Sequence, residues 1–377
     1  MKQDSNLRNN LKSIRTRLGM SQQDLANIAS VTRQTISGVE SGQYAPSVAI
    51  ALRLAKALGC QVEDLFWQDQ DLPQIEAILA KPVPPSQSVR LSLARVGGQW
   101  IAYPLLGKDA FRQDMIPADA EGASQTGEGK VSLRLLDDNL EALHNTVVIA
   151  GCAPVIALWA RATERWHPQL RVHFTFANSI SALQSLCAGK AHIAGMHLYD
   201  PKTGEHNLPF AREILAGREA VLITLGLWEE GLLVPSGNPK GFKTLSDIVE
   251  AQATIVNREV GAGSRMLLEQ KLQQEQIPFQ AVKGFEQIVT SHQDVAQAIA
   301  FGLVDAGIST ASVAATFGLG FVPLHQSRYD LVILKEYLEE APIQQLLSTL
   351  GHRMVHSQLE VLGGYDISKI GEVVATI

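Results

Sequence analysis

Cysteine is scarce in this 377-residue chain: only Cys60, Cys152 and Cys187 occur. They are odd in number, far apart and free of metal-type pairing, which argues against a disulfide framework or zinc site and for thiols in a reducing compartment. The ten histidines are scattered, none at a Cys/His spacing that zinc favours, so no metal is expected. No stretch approaches the ~18 consecutive apolar residues of a membrane span. Met1 through Ser13 is polar and lacks the apolar centre of a signal peptide. A cytoplasmic protein with no membrane partner is expected. A G-x-x-x-x-G-K nucleotide loop and a recognisable nucleophile–base pair are also missing, so an enzyme is not expected. There is no internal repeat, and the only biased tract is Lys81-Pro-Val-Pro-Pro85, which reads as a stiff linker.

What remains is ordinary globular composition, 46% hydrophobic and 19% charged, enough for two or three domains. Charge is unevenly placed. Residues 1–67 hold eight Lys/Arg against five acids, while the whole chain is at −6, a pattern that suits a polyanion partner at the head only. Three textures follow in order. Residues 1–67 read as five short helices, with Leu7, Leu11, Ile14 and Leu18 on one face of the first and Leu25, Ile28 and Ala29 burying the second. Residues 68–143 read as a linker and small β-rich module, with a hairpin of Val89–Arg95 and Gln99–Tyr103 turning at Gly97-Gly98, and a strand over Lys130–Leu136. Residues 144–377 alternate strands (147–150, 172–176, 193–194, 221–225, 254–256, 304–308, 329–334) with amphipathic helices (155–166, 181–188, 264–274, 293–301). That rhythm implies α/β architecture with mostly parallel sheet.

In the head, Ser21-Gln-Gln-Asp-Leu-Ala26, Val31-Thr-Arg-Gln-Thr-Ile-Ser37 and Glu40-Ser-Gly-Gln-Tyr-Ala-Pro46 closely resemble the Cro and phage-repressor (XRE) helix-turn-helix. The chemistry agrees: a short helix capped by Thr32 can enter a major groove with its N-terminal side chains on base edges. Arg33 suits guanine, Gln34 adenine, and Thr35 and Ser37 add hydroxyls. Gln22 and the amides near Thr32 and Gly42 suit phosphate, with Arg15, Arg17 and Tyr44 as further phosphate candidates. The resemblance implies a double-stranded operator as partner and a homodimer on two half-sites.

Over 143–377, Ile149-Ala-Gly-Cys-Ala-Pro154, Ile193-Ala-Gly-Met-His-Leu198, Asn257-Arg-Glu-Val-Gly-Ala-Gly-Ser-Arg265, Ser291-His-Gln-Asp-Val-Ala-Gln-Ala298, Asp305-Ala-Gly-Ile308 and Tyr329-Asp-Leu331 are similar to the two-lobed type II periplasmic-binding-protein-like domain, nearest its molybdate- or tungstate-binding members. A multidomain regulator with an α/β two-lobed sensor is thus implied, with an anionic effector and no cofactor. Gly261 and Gly263 allow a tight turn into a helix starting near Ser264, whose amides and hydroxyl suit an anion, and Arg265 offers a planar cation. Cys152, Ala153, Asn178 and Ser179 lie at strand-to-helix turns of the other lobe, and His197 ends a strand beside the expected cleft. Each has a bland alternative: a tight turn for the glycines, an Arg265–Glu269 pair, an N-cap for Ser179, a satisfied core histidine for His197. Asp294 and Asp305 read as structural, and Trp159, Trp166 and Trp228 as packing. Lobe crossings are expected near Leu233–Gly237 and Pro323–Leu331. Molybdate or tungstate, a small organic anion or pterin-type metabolite, and a cofactor-biosynthesis enzyme domain stay open as readings of this half.

Overall fold

A computed structural model describes residues 7–68, 74–110, 116–137 and 140–377. The start of the polar N-terminal stretch (1–6) and the segment just past the expected 67/68 boundary (69–73) lie outside them. The chain forms two compact units, Met1–Pro73 and Gln74–Ile377.

The first unit holds β1 (Leu7–Asn9), α1 (Leu11–Arg17), α2 (Gln22–Ala29), α3 (Arg33–Glu40), α4 (Val48–Leu58), α5 (Val62–Leu65) and β2 (Phe66–Gln68). Local chemistry sets each helix start. Ser21 and Asp24 form a reciprocal capping box, and Thr32 and Ser47 accept from the amides three residues on. Gly59 ends α4 in the left-handed conformation. Two expectations fail. Leu7 does not extend the first helix, because β1 pairs antiparallel with β2 and Asn9 caps Leu11 from the strand. Ile28 is 55% exposed, and Leu25, Ala26 and Ala29 carry the burial of α2. Arg15 is also not a phosphate contact. It is buried, its Nε 2.6 Å from Glu40 Oε1 and its Nη1 donating to the Met20 carbonyl at 2.6 Å, so α1 is tied to the end of α3.

The second unit begins with a closed barrel of β3 (Gln74–Leu79), β4 (Val89–Val96), β5 (Gln99–Pro104), β6 (Ala120–Ala123) and β7 (Lys130–Leu135), ordered β3-β5-β4-β6-β7. β3 and β6 were not expected from the sequence. The proline tract is no linker between bodies: it joins β3 to β4, and the Val83 amide donates to Gly127 at 2.7 Å. Nor is the barrel a separate module. Arg171 makes a forked ion pair with Asp119, the Tyr103 hydroxyl donates to the Lys190 carbonyl at 2.8 Å, and buried His192 joins Val148 to the Arg95 carbonyl.

The α/β body continues with α6 (Leu140–His144), β8 (Thr146–Gly151), α7 (Pro154–Trp166), β9 (Arg171–Phe176), α8 (Ser179–Cys187), β10 (Ile193–Met196), β11 (Tyr199–Asp200), β12 (Glu205–His206), α9 (Leu208–Leu215), β13 (Ala220–Val234), α10 (Leu245–Glu250), β14 (Ile255–Arg258), α11 (Gly263–Gln274), β15 (Ile288–Val289), α12 (His292–Ala300), β16 (Ala306–Thr310), α13 (Ala311–Phe317) and β17 (Gly320–Leu334). Further helices and two short strands complete the chain. The main sheet is mixed, in the order β15-β14-β16-β13-β17-β10-β8-β9. β8, β9 and β10 run parallel in one lobe, and β14, β15 and β16 in the other. The antiparallel pair β13 and β17, 15 residues each, runs through both. At ~3.3 Å per residue such strands reach about 50 Å, long enough to serve two lobes. Their register shifts at Thr224/Gly226 and at Glu230/Gly231. The lobe crossing therefore lies in mid-strand. The expected crossing at Leu233–Gly237 falls instead at the far end of β13, inside the second lobe, because both lobes share one continuous ladder.

Glu40→Gln is expected to destabilise the head by about 2 kcal/mol, the scale of a lost charge-assisted hydrogen bond that leaves Arg15 buried. Faster hydrogen exchange at the α1 and α3 amides is the readout, and unchanged exchange there would show that the pair does not hold these helices.

Candidate functional site

Two sites emerge, one in each unit. In the head, Ile36 and Val39 bury one face of α3, and Thr32, Arg33, Gln34 and Ser37 stand exposed on the other. The Thr32 hydroxyl lies 2.8 Å from that of half-buried Thr35 and caps its amide, so the start of α3 is held rigid. Tyr44 is exposed beyond the helix, its amide fixed to the Gly38 carbonyl. Gln22 differs from its expected role: its amide nitrogen donates to Glu40 Oε2 at 2.8 Å, so it supports α3 from α2.

In the body, a cleft of about 1330 Å³ lies between the barrel and the two lobes. The strand-to-helix turns expected from the sequence converge on it. Cys152 and Asn178, both buried, line its inner wall from one lobe, and Ser291 and His292, at the start of α12, line it from the other. Ala153 is fully buried as the N-cap of α7, followed by Pro154 at the first helical position. Asn178, not Ser179, caps α8: its Oδ1 accepts from Ser181 at 2.9 Å, and its Nδ2 donates to the Val260 carbonyl across the seam at 3.3 Å. Ser179 instead accepts from the His197 amide at 3.1 Å.

The two glycines permit close approach. Gly261 has φ +91°, and a side chain there would meet Asn178 and Ile180. A Cβ on Gly263 would stand 2.1 Å from the His197 carbonyl oxygen and 2.8 Å from its ring. Two other expected ligands are diverted. Ser264 donates to Glu230 Oε1 at 2.7 Å, and Arg265 pairs with Glu269 at 2.8 Å one helical turn on, with its guanidinium over Phe285. The helical i,i+4 geometry carries Arg265 away from the cleft.

Behind the cleft wall a buried polar cluster of Trp228, Glu230, Arg258 and Tyr329, each about 1% exposed, surrounds His197 and the cleft-lining His292. His197 Nδ1 is 3.6 Å from Cys152 Sγ and 3.5 Å from Ser179 Oγ. Its Nε2 is 3.4 Å from Glu230 Oε1, near enough for charge attraction but not aligned as a hydrogen bond. Glu230 also accepts from Ser327 at 2.6 Å. Burial alone would lower the His197 pKa, but the Glu230 carboxylate and Cys152 outweigh it and raise it to about 10. Conversely burial would raise Glu230, and His197 with Ser327 holds it at about 2. His292 is pushed well below the ordinary imidazole range by burial and by the Arg258 charge, so it is neutral. Arg258 forks onto Glu259, donates to the Thr290 carbonyl, and keeps Nη1 without a partner among the described residues. Trp228 Nε1 and His292 Nε2 are likewise unpartnered. The Tyr329 hydroxyl packs against Gly151 and Gly195, where the Cys152 and Ala153 amides face it, and so occupies the α7 start expected for a ligand. Arg258 and His292 lay within strings singled out from the sequence. Trp228, Glu230 and Tyr329 carry no local signal, being interior positions of the two long strands.

The PBP superfamily domain matches residues 160–351, and the helix-turn-helix family matches residues 11–65. The uncharacterised protein YvgK of Bacillus subtilis (strain 168) is 34% identical over 199 residues, 53% of this chain. The chain spans only 64% of that protein's length. The uncharacterised HTH-type transcriptional regulator YgzD of the same organism is 40% identical over 65 residues, 17% of this chain and 98% of YgzD. Among solved structures, an ABC-type phosphate transport receptor from Vibrio cholerae aligns with a TM-score of 0.40 and 14% identity, covering 58% of this chain and 98% of that one.

Gly263→Ala is expected to cost about 1–3 kcal/mol, since the added methyl must displace a backbone carbonyl rather than a flexible side-chain tip. A denaturant melt of the α/β body reads this, and wild-type stability would show that the seam is looser than its contacts imply.

Proposed function

The chain belongs to the PBP superfamily and carries a helix-turn-helix head, and on that premise we propose that it is a one-component transcription regulator, reading operator DNA through α3 and sensing a small anion in the interlobe cleft. The relatives of the head are named as transcriptional regulators, and a two-lobed binding fold needs no chemical step to act as a sensor. On the DNA side, Arg33 and Gln34 read base edges, Thr35 and Ser37 add hydroxyl contacts, and Thr32 and Tyr44 meet the backbone. Gln22 keeps a phosphate contact only through atoms not engaged with Glu40. A homodimer would place two such helices in successive major grooves. Such a protein acts where the DNA is, in the cytoplasm.

One observation supports the anion: just behind the cleft wall formed by His292, Arg258 Nη1 and Trp228 Nε1 can only donate, are buried, and have no acceptor among the described residues. Buried donors without acceptors are costly, so a ligand that brings acceptors is favoured there. The starts of α8 and α12, at the cleft wall in front of these donors, add positive dipole ends. Cys152, Asn178 and His292 meet the ligand, while Ala153, Ser179, His197, Gly261, Gly263 and Ser264 shape the wall behind. Molybdate or tungstate is the first choice. The cleft volume favours a second reading, a small organic anion or pterin-type metabolite, because about 1330 Å³ exceeds the roughly 300–1,000 Å³ typical of small-molecule sites. Ligand and operator affinities are then linked reciprocally.

Operator affinity measured with and without molybdate or tungstate tests the coupling, with the organic anions as a parallel titration. Arg33→Ala should weaken operator binding by about 1–3 kcal/mol. Arg258→Gln should leave ligand-free operator binding intact and reduce anion affinity about tenfold or more. Identical operator affinity at saturating anion would remove the sensor role, and an unchanged Arg258→Gln response would remove the assigned site.

A further inference from the structure

Cys152, His197 and His292 are 45 and 95 residues apart in sequence, and folding brings one ligand-capable atom of each within 4.8 Å of the others. All three are buried. We propose that they form a three-ligand site for a borderline divalent cation of the zinc type, with its fourth position facing the interlobe cleft.

The spacing fits. A tetrahedral ion with S at ~2.3 Å and N at ~2.0 Å sets sulfur and nitrogen about 3.5 Å apart, and Cys152 Sγ lies 3.6 Å from His197 Nδ1. His292 lies within 4.8 Å of both, so bringing it to tetrahedral spacing asks for a shift of at most about 1.5 Å.

The outer partners that orient ligating histidines are also in place. The Glu230 carboxylate stands 3.4 Å from His197 Nε2 and attracts positive charge on that side of the ring, while Nδ1 points at Cys152 Sγ. Ser309 Oγ holds His292 Nδ1 at 3.1 Å, and His292 Nε2 is buried and unpartnered. Ser264 and Ser327 fix Glu230 in turn. Neither histidine therefore needs a new partner to become a ligand. On binding, the proton shared by Cys152 Sγ and His197 Nδ1 leaves to solvent. The dication, the thiolate and the Glu230 carboxylate then cancel, which meets the cost of burying charge.

Both Cys152 and His292 line the cleft, so the remaining coordination position opens there. This deepens the anion reading and rests on it in one respect only: the effector becomes the fourth ligand. Three protein ligands with one open position are the arrangement of zinc sites that exchange small molecules.

The test is a cobalt(II) titration of the metal-stripped full-length chain, followed by displacement with zinc. One equivalent should produce a thiolate-to-cobalt charge-transfer band in the near ultraviolet. Cys152→Ser should abolish the band and Cys187→Ser retain it, with circular dichroism confirming that both variants fold. His292→Gln should weaken zinc binding at least about tenfold, and Glu230→Gln about 10–100-fold. Absence of the band in the wild type, or its survival in Cys152→Ser, overturns the site. The two readings also separate: molybdate that leaves both the cobalt spectrum and operator affinity unchanged removes the effector and leaves the metal site standing. Molybdate binding to a chain that never yields the band does the reverse.

Discussion

The arrangement of the α/β body depends on one buried carboxylate. Glu230 lies in the middle of β13, beside a register shift. It accepts from Ser264 on α11 and from Ser327 on β17, and it faces His197 at the end of β10. Those partners come from the second lobe, the shared strand and the first lobe. An ionised carboxylate is tolerable in such a place only when charge and hydrogen bonds surround it. Removing one member strands the others, typically at 3–5 kcal/mol for a buried pair. The packing of the glycine turn against Asn178 and His197 brings the lobes close enough for this contact, which accounts for the absence of a Cβ at Gly261 and Gly263.

How much of this was legible follows from the range of each interaction. Caps are local, so the start of α3 at Thr32 could be read directly, whereas the start of α1 could not, because Leu7 pairs with Gln68 on the distant strand β2. The strand-to-helix turns at Cys152, Asn178 and Gly263 were equally visible, because a strand end, a small residue and an amphipathic run sit side by side. The fate of the side chains was not. Ser264 and Arg265 occupy a helix start that suits an anion, yet Ser264 meets a carboxylate 34 residues back and Arg265 one four residues on. The barrel was half seen. Its β4–β5 hairpin turns through Gly97-Gly98, a local signal, but β3 closes the barrel through β5 and β7, and the proline tract masked that role. The proposed metal site has no spacing in the sequence because Cys152 follows β8, His197 follows β10 and His292 opens α12.

The sensor role makes a quantitative demand on these contacts. A ligand shifts an equilibrium only by the difference in its affinity for the two states. A tenfold change in operator binding needs about 1.4 kcal/mol of that difference, and a switch from mostly one state to mostly the other needs about 5.5 kcal/mol. The seam has the capacity. Asn178 bonds the Val260 carbonyl, Ile180 bonds the Gly261 carbonyl, and Glu230 faces His197 across it. These three contacts span the same seam, so parting the lobes there would break them together. The head needs no comparable device. Its Arg15–Glu40–Gln22 network and capped α3 hold a fixed surface, so in the proposed regulator the variable quantity would be the seam between the lobes, where a ligand's acceptors would meet the unpartnered donors around His292.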